Sequence, residues 1–375
     1  MITLSAPIEH PLGPAGEQLD TNWRKGGSKA QRYEVIMKRL LIILALVGGV
    51  ACGLPFGNLG WVQAESLCVV SYNVENLFHP KHDSVITGER INELTGERII
   101  EKDDWEWTPE GERRWSYSRY YRKVENTARV LTNIGEWDGV DVVGLQEVEN
   151  ALCVRRLCNT LRRGEYDFVH YESPDRRGID VALIYKKARI DTLCTKTLRV
   201  DLKEQTTRDI LYVCAKVDKR DTIHFFVCHL PSQRGGKAES EWKRKAAKDV
   251  LERAVDSVYE TNPKAKIVVM GDMNSEPEED IRGMRNRMKE LKNERIKELK
   301  NQRGTHKYQG KWTYLDHFYV SPSVDSVSQA RVYDAEWIQE TDEKYLGLRP
   351  KRTFNGFKYQ NGYSDHLPII LLIDY

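Results

Sequence analysis

Cysteine is scarce and badly spaced for a structural role. Seven cysteines in 375 residues cannot all pair, which argues against a fully closed disulfide framework. Cys153 and Cys158 miss the Cys-x-x-Cys spacing, and no zinc site can be read from the chain. Cys68, Cys214 and Cys228 fall inside apolar, strand-like runs, where a free cysteine acts as a small core residue. Net charge is scarce too. With 58 basic against 56 acidic residues the chain carries only +2, so bulk charge does not mark a nucleic-acid binder. There is no internal repeat and, after residue 66, no stretch that reads as an interdomain linker. Length alone allows one large domain or two ordinary ones.

The single long hydrophobic run lies near the start. Residues 1–36 are rich in Pro, Gly and charge and have no apolar period, so they read as disordered or as an extension upstream of the true start. Met37-Lys38-Arg39 then leads into the apolar run Leu40 to Val47 and, later, Val62-Gln63-Ala64. A basic start, an apolar centre and a small-residue cleavage site make residues 37–64 a secretory signal peptide. Gly48, Gly49 and Pro55 break the run, which counts against a membrane-spanning anchor. Cys52 is the alternative end point, as a lipidated cysteine. Either way the mature chain, residues 65–375, is expected in the periplasm or outside the cell, as a lipoprotein in the second case, with no stable membrane span unless it is lipidated at Cys52. No protein partner is evident.

From residue 67 onward strands and helices alternate. Apolar runs at 67–72, 140–145, 181–185, 211–217, 223–228, 268–271, 314–320 and 367–373 read as strands. Helical spacing appears at Tyr121, Val124, Ala128, Leu131 and Ile134, over about 151–163, and at Trp242, Ala246, Val250 and Ala254. The alternation implies one α/β domain. Residues 79–117 are a polar insert with Trp105, Trp107 and Trp115; packing onto the core is the favoured use, base stacking the other. Residues 282–300 form a strongly basic stretch that reads as an exposed helix, with a phosphate-rich polymer partner as the second reading.

The strand ends share one kind of chemistry. Val268-Val269-Met270-Gly271 stops at Asp272-Met273-Asn274, and in an extended chain Asp272 and Asn274 share a side. By itself this is what an ordinary turn looks like. Other strands, however, end in Asn73 and Glu75, in Glu147, in His229 and at Asp316, and Asp365-His366 precedes the last strand. Oxygen donors dominate, with two histidines. That mix suits a hard divalent cation, Mg²⁺ or Mn²⁺, with Ca²⁺ as a further fit. A hard cation with two imidazoles suits phosphoester hydrolysis.

Ser71-Tyr72-Asn73-Val74-Glu75-Asn76, Leu145-Gln146-Glu147-Val148, Gly271-Asp272-Met273-Asn274, Leu315-Asp316 and Tyr363-Ser364-Asp365-His366-Leu367-Pro368 resemble, in order, the signatures of the endonuclease/exonuclease/phosphatase superfamily. The segment from His229 to Gly236 further resembles its secreted bacterial, deoxyribonuclease-like branch. The resemblance spans roughly residues 66–375 and implies a four-layer α/β/β/α sandwich of two stacked mixed sheets. It implies Glu147 as principal metal ligand, flanked by Glu75 and Asp365, and Asn73 supporting that site by hydrogen bonding. Asp316 would orient His366, which is then either the general base or a phosphate-stabilising cation. In the second account Asp272 positions or deprotonates the water. Asn274 would bind phosphate, and His229 would bind phosphate or protonate the leaving group. Arg234 directly follows the His229 segment and suits phosphate. Arg177 and Asp180 precede a strand in the manner of the other site residues, and stand as substrate contacts or an internal salt bridge. The expected activity is metal-dependent phosphodiester hydrolysis with nucleic acid as substrate, by a secreted or periplasmic nuclease. The alternatives are a sphingomyelinase-like or inositol-phosphate phosphatase, and a non-catalytic surface binding module.

Overall fold

The computed structural model describes residues 66–81, 90–91, 98–99, 104–203, 205–233, 235–276, 289–290, 304–324 and 326–374. The signal peptide, Cys52, Arg234 and nearly all of the basic stretch 282–300 lie outside the described residues; Lys289–Glu290 of that stretch form a short strand, not a helix.

Two six-stranded sheets carry the fold. Their strands, in chain order, are β1 (Leu67–Leu77), β2 (Val142–Val148), β3 (Tyr166–His170), β4 (Asp180–Lys186), β5 (Ile190–Leu198), β6 (Ile210–Val217), β7 (Asp221–His229), β8 (Lys266–Asp272), β9 (Lys289–Glu290), β10 (Asp316–Val320), β11 (Val327–Val332) and β12 (Ile369–Ile373). The first sheet runs β11-β12-β1-β2-β4-β3 and the second β9-β10-β8-β7-β6-β5. Each is mixed in the same way. One parallel pair sits at the centre, β1/β2 in the first and β7/β8 in the second, and every other pairing is antiparallel. A parallel pair needs a long crossover. Helix α1 (Tyr117–Gly135) supplies it for β1/β2, and α3 (Lys237–Thr261) for β7/β8. Helix α2 (Ala151–Arg162) follows β2, its start fixed by the Asn150 side chain accepting from the amides of Leu152 and Cys153.

Alternation along β8 shows the layering. Val268 and Met270 join the cluster between the sheets, whereas Ile267 and Val269 pack under α3 with Ala247, Leu251 and Val255. Gly144 on β2 lets the first sheet close onto Met270: a Cβ there would stand 2.8 Å from its sulfur. Val124, Ala128 and Leu131 of α1 and Val154 and Leu157 of α2 bury against the first sheet, completing helix, sheet, sheet, helix.

Two helical stripes differ in part from the expected ones. On α1 the expected Val124, Ala128, Leu131 and Ile134 are buried, Tyr120, Lys123 and Thr127 join them, and Tyr121 is exposed. On α3 it is Ser240, Arg244, Ala247, Leu251 and Val255, while Trp242 is 46% exposed. Buried Lys, Arg and Ser satisfied by specific partners displaced the stripe from the residues that hydropathy favours. In the polar insert, Trp115 and Trp107 are buried, Trp107 stacking on Phe78 with ring centroids 4.9 Å apart, and Trp105 is exposed.

The same edge of the sandwich receives the C-terminal ends of β1, β2, β7 and β8 and the N-terminal ends of their antiparallel neighbours β4, β10 and β12. All strand-end residues singled out by sequence therefore gather at one edge. Gly271 makes the approach possible. Its φ is +142°, and a Cβ would lie 1.9 Å from the Cys228 carbonyl oxygen on β7. Gly271→Ala is expected to cost at least about 3 kcal/mol in urea unfolding, because strain and a backbone clash add. Gly164→Ala, also at positive φ but with nothing within 4 Å, should cost only about 1 kcal/mol. Equal losses in the two variants would refute the close-approach argument.

Candidate active site

The strand register brings Asp272 to the centre of the site. It shares the parity of Val268 and Met270, so its side chain enters the space between the sheets, and it pairs with His229 on one side and Asp316 on the other. Asn73, on β1 of the opposite sheet, donates its Nδ2 to Asp272 Oδ2 at 3.0 Å. The Asn274 amide donates to Asp272 Oδ1 at 2.9 Å. His229 Nε2 stands 3.6 Å and His366 Nε2 3.8 Å from Asp272 Oδ2. A buried carboxylate is thus flanked by two imidazoles, one from each side.

The imidazoles differ in charge. His366 Nδ1 donates to Asp316 Oδ2 at 2.8 Å. Burial disfavours its charge, but the carboxylates of Asp316 and Asp272 outweigh this and hold its pKa well above the ordinary imidazole range. His229 has no such partner. Burial, followed by the charges of Arg208, Arg177 and His366, holds it well below that range, and its Nδ1 is buried without a hydrogen bond. Asp272 itself is pushed up to about 7 by burial, with His366 opposing and Asp316 adding.

Glu147 arrives by a distortion. Strict alternation after the inward Gln146 would point it to the helix face of the first sheet. Instead β2 is irregular between Gln146 and Val148, and Glu147 takes φ +64°. Its Oε2 accepts from the Asn76 amide at 3.0 Å, and its Oε1 is 3.5 Å from Arg177 Nη2 and 4.0 Å from His229 Nε2. Glu75 (φ +54°) and Asn274 (φ +50°) share this left-handed backbone. Each such residue costs about 1–3 kcal/mol and persists only where the surroundings enforce it.

Glu75 and Asp365 form the acidic wall. The amide of Thr353 donates to Glu75 Oε2 at 2.6 Å, and Arg352 bridges the pair, 2.5 Å from Asp365 Oδ2 and 3.8 Å from Glu75 Oε1. Burial and the Asp365 charge raise Glu75 to about 7, while Arg352 and His366 overcome burial and hold Asp365 well below the usual carboxylate range. Lys123 of α1 lies beneath them, fully buried and lowered to about 8 by burial, donating to Thr353 Oγ1 and the Tyr363 carbonyl.

Of the residues expected from sequence, the structure gathers Asn73, Glu75, Glu147, Arg177, His229, Asp272, Asn274, Asp316, Asp365 and His366. One pair of alternatives is resolved. Asp180 begins β4 at this edge, but its Oδ1 accepts from the Ser173 amide at 2.9 Å and its Oδ2 faces His170 at 3.4 Å, which is the internal ion pair and not the substrate contact. Asn274 donates one Nδ2 hydrogen to the Leu230 carbonyl at 2.9 Å, which ties the β7 and β8 ends together and leaves the second N–H for other partners. Arg177 carries both readings: its side chain is 45% exposed and also touches Glu147. Sequence reasoning missed Lys123, Arg352 and Arg208. Arg208 pairs with Asp175 at 2.9 Å, both buried, and donates to the carbonyls of His229 and Leu230. Lys123 had a signal, since it falls on the helical stripe with Tyr120, Thr127 and Leu131. His306 joins these missed residues, its ring centroid 4.9 Å from that of His366.

The donors fit a divalent cation. The side chains of Asp272, Asp316 and His366 offer ligand atoms within 4.8 Å of one another, as do those of His306, Asp365 and His366. Asp316 Oδ1 is buried without a hydrogen-bond partner. Glu147, Glu75 and Asp365 are less tightly grouped, and Arg352 already bridges the last two.

The sequence matches the profile of the Endonuclease/Exonuclease/phosphatase family over residues 68–375, and the chain belongs to that family. Its members are phosphoesterase hydrolases that use divalent metals. No curated protein matches the sequence significantly. Among solved structures, truncated TDP2 of Caenorhabditis elegans is similar at 16% identity and a TM-score of 0.50, over 83% of this chain and 98% of that one. A Bacteroides thetaiotaomicron mannosyl-6-phosphatase is similar at 15% identity and a TM-score of 0.48, over 82% and 99%. The human Nocturnin catalytic domain follows at 15% and 0.47, over 82% and 93%.

The electrostatics make a testable statement. Asp316→Asn is expected to lower the pKa of His366, read from the pH titration of its imidazole resonances by NMR. The folded-state pKa of His366 lies above its unfolded value. The pair therefore stabilises fully below the unfolded imidazole range, and that contribution is lost as pH rises through the folded value. Going alkaline from neutrality, the wild type should lose more stability than Asp316→Asn. An unshifted His366 titration in the variant would show that Asp316 does not hold the charge.

Proposed function

We propose that the protein is a divalent-metal-dependent phosphodiesterase acting on nucleic acid, working as a secreted or periplasmic nuclease. The observation that carries the reading is the position of Asp272 between two imidazoles of opposite protonation. A carboxylate with a pKa of about 7 is matched to accept a proton from water near neutrality. Asn73 and the Asn274 amide fix its two oxygens, leaving the direction of proton transfer defined. His366, held as the imidazolium by Asp316, offsets charge on the phosphoryl oxygens. His229, neutral, donates one N–H to the phosphate. This arrangement favours Asp272 over His366 as the base.

Glu147 would anchor a Mg²⁺ or Mn²⁺ ion, with Glu75 and Asp365 taking part once Arg352 gives way, and the ion would supply charge neutralisation at the phosphoryl group. Arg177, on the open side of Glu147, is placed to meet a phosphate of the substrate with a planar fork. The nucleic-acid assignment draws further support from the basic stretch 282–300 and from the likeness of the His229 segment to nuclease-type members.

Purified protein loaded with Mg²⁺ or Mn²⁺ should cleave DNA or RNA, and EDTA should abolish cleavage. Asp272→Asn and His366→Ala should each lower kcat by at least about 100-fold, and His366→Ala should also lower thermal stability because it leaves the buried Asp316 carboxylate unpaired. The decisive comparison is a panel of DNA, RNA, sphingomyelin and inositol phosphates. Turnover of lipid or inositol phosphate without nucleic-acid cleavage would replace the nuclease reading, and failure to bind the metal calorimetrically would leave a binding module.

A further inference from the structure

Beside the catalytic edge, a second cluster has no part in the chemistry above. His170 ends β3 and Asp180 begins β4, so the two residues close the loop 171–179 at its base. Their side chains are each 2% exposed, and His170 Nε2 lies 3.4 Å from Asp180 Oδ2. Neither of these two atoms makes a hydrogen bond. Leaving two buried polar atoms facing each other without hydrogen bonds is costly. The carboxylate of Glu172 adds a third ligand atom, all three lying within 4.8 Å of one another.

We propose that His170, Asp180 and Glu172 form a binding site for a Zn²⁺-class divalent cation, separate from the catalytic centre. The spacing matches. Two ligand atoms each about 2.0–2.1 Å from a tetrahedral ion stand about 3.3–3.4 Å apart. One imidazole with two carboxylates is a borderline donor set, unlike the oxygen-dominated catalytic edge. The other Asp180 oxygen is already fixed by the Ser173 amide at 2.9 Å, the kind of outer contact that orients a ligating carboxylate. Glu172 is exposed, and an open cleft lined by His170, Tyr171, Thr192 and Thr195 provides an entry path. Fewer than four protein ligands leaves room for water in the remaining position.

The site bears on the catalytic edge through the loop it closes. Residues 171–179 carry Asp175, the buried partner of Arg208, and Arg177, which touches Glu147. An ion bridging His170 and Asp180 pins both ends of that loop. It therefore stabilises the presentation of Arg177 and Asp175 without touching the reacting groups.

The test uses the full chain and Zn²⁺ alone, followed by calorimetry and thermal melting. Glu147→Gln removes only one ligand of the catalytic edge, where the Asp272/Asp316/His366 and His306/Asp365/His366 groups remain, so the second site is read as the part of the zinc uptake that substitutions at His170 and Glu172 remove. The expected result is saturable binding and a rise in Tm in both wild type and Glu147→Gln. His170→Ala should weaken that part of the uptake at least tenfold and lower the Tm rise. Glu172→Gln, on an exposed side chain, should weaken it with the apo melting temperature unchanged, which keeps the test valid if His170→Ala folds poorly. Zinc affinity in Glu147→Gln that is indifferent to both substitutions, or no uptake in Glu147→Gln, overturns the proposal. Phosphodiesterase activity does not enter the readout, so the result is independent of whether the nuclease reading holds.

Discussion

The hydrogen bond from Asn73 to Asp272 is the constraint on which the site depends. It is 3.0 Å long, buried, and joins residues 199 positions apart in sequence, one on each sheet. Neither residue is catalytic by type alone. A polar pair this deep must satisfy itself or cost free energy, so the two sheets are held at a separation that lets Asn73 reach. Gly144 under Met270 permits that separation on the apolar side. A larger residue there would push the sheets apart and take Asn73 away from Asp272. Packing of small residues inside the sandwich and the geometry of the carboxylate are therefore one problem.

From that pair the protonation pattern follows. Burial alone would raise both acids and lower both histidines. What separates His366 from His229 is the partner each has. Asp316 enters from β10, in register with Asp272, and faces His366 at 2.8 Å. His229, on the other neighbour of β8, meets Arg208 and Arg177 instead, and their positive charge deepens its loss of the proton. Two residues of one chemical type, a few ångströms from the same carboxylate, are thus shifted in opposite directions, because His366 alone is hydrogen-bonded by a further carboxylate at 2.8 Å while two arginines act on His229. The same logic governs the acidic wall. Glu75 and Asp365 repel, and Lys123 with Arg352 makes their proximity tolerable. A cation entering there competes with Arg352, which links metal binding to movement of that side chain.

Much of this was legible in the sequence. Strand ends are the places where an apolar run must stop, and Asn73, Glu147, His229, Asp272 and Asp316 stand at those stops, so linear order carried the site. The alternation along β8 was enough to aim Asp272 between the sheets. The failures have a common physical origin. Helical stripes were chosen by hydropathy, so Lys123 and Arg244, which bury their heads against specific carbonyls and hydroxyls, were passed over in favour of the exposed Tyr121 and Trp242. Asp180 sat at the right edge but pointed to Ser173, because a strand's first residue can turn either to the site or to its own loop. Glu147 was identified by motif, yet periodicity would have sent it to the wrong face, and only its left-handed backbone brings it to the edge.

That last point carries an argument about where strain is kept. Glu75, Asn76, Glu147 and Asn274 all hold positive φ, and three of them are candidate site residues of two facing sheets. Asparagine tolerates this conformation, and the Asn274 side chain is further held by donating to the Leu230 carbonyl at the end of β7. Glutamate has no such relief, so Glu75 and Glu147 must be held by what they contact. Glu147 is held by the Asn76 amide, itself in the same conformation, and Glu75 by the Thr353 amide. Each strained acid thus draws its support from a backbone N–H of a different segment, which ties β1, β2 and the segment before β12 into a single arrangement. Relaxing either acid would release an amide and a buried carboxylate together, and the desolvation cost of both exceeds the strain that relaxation would relieve.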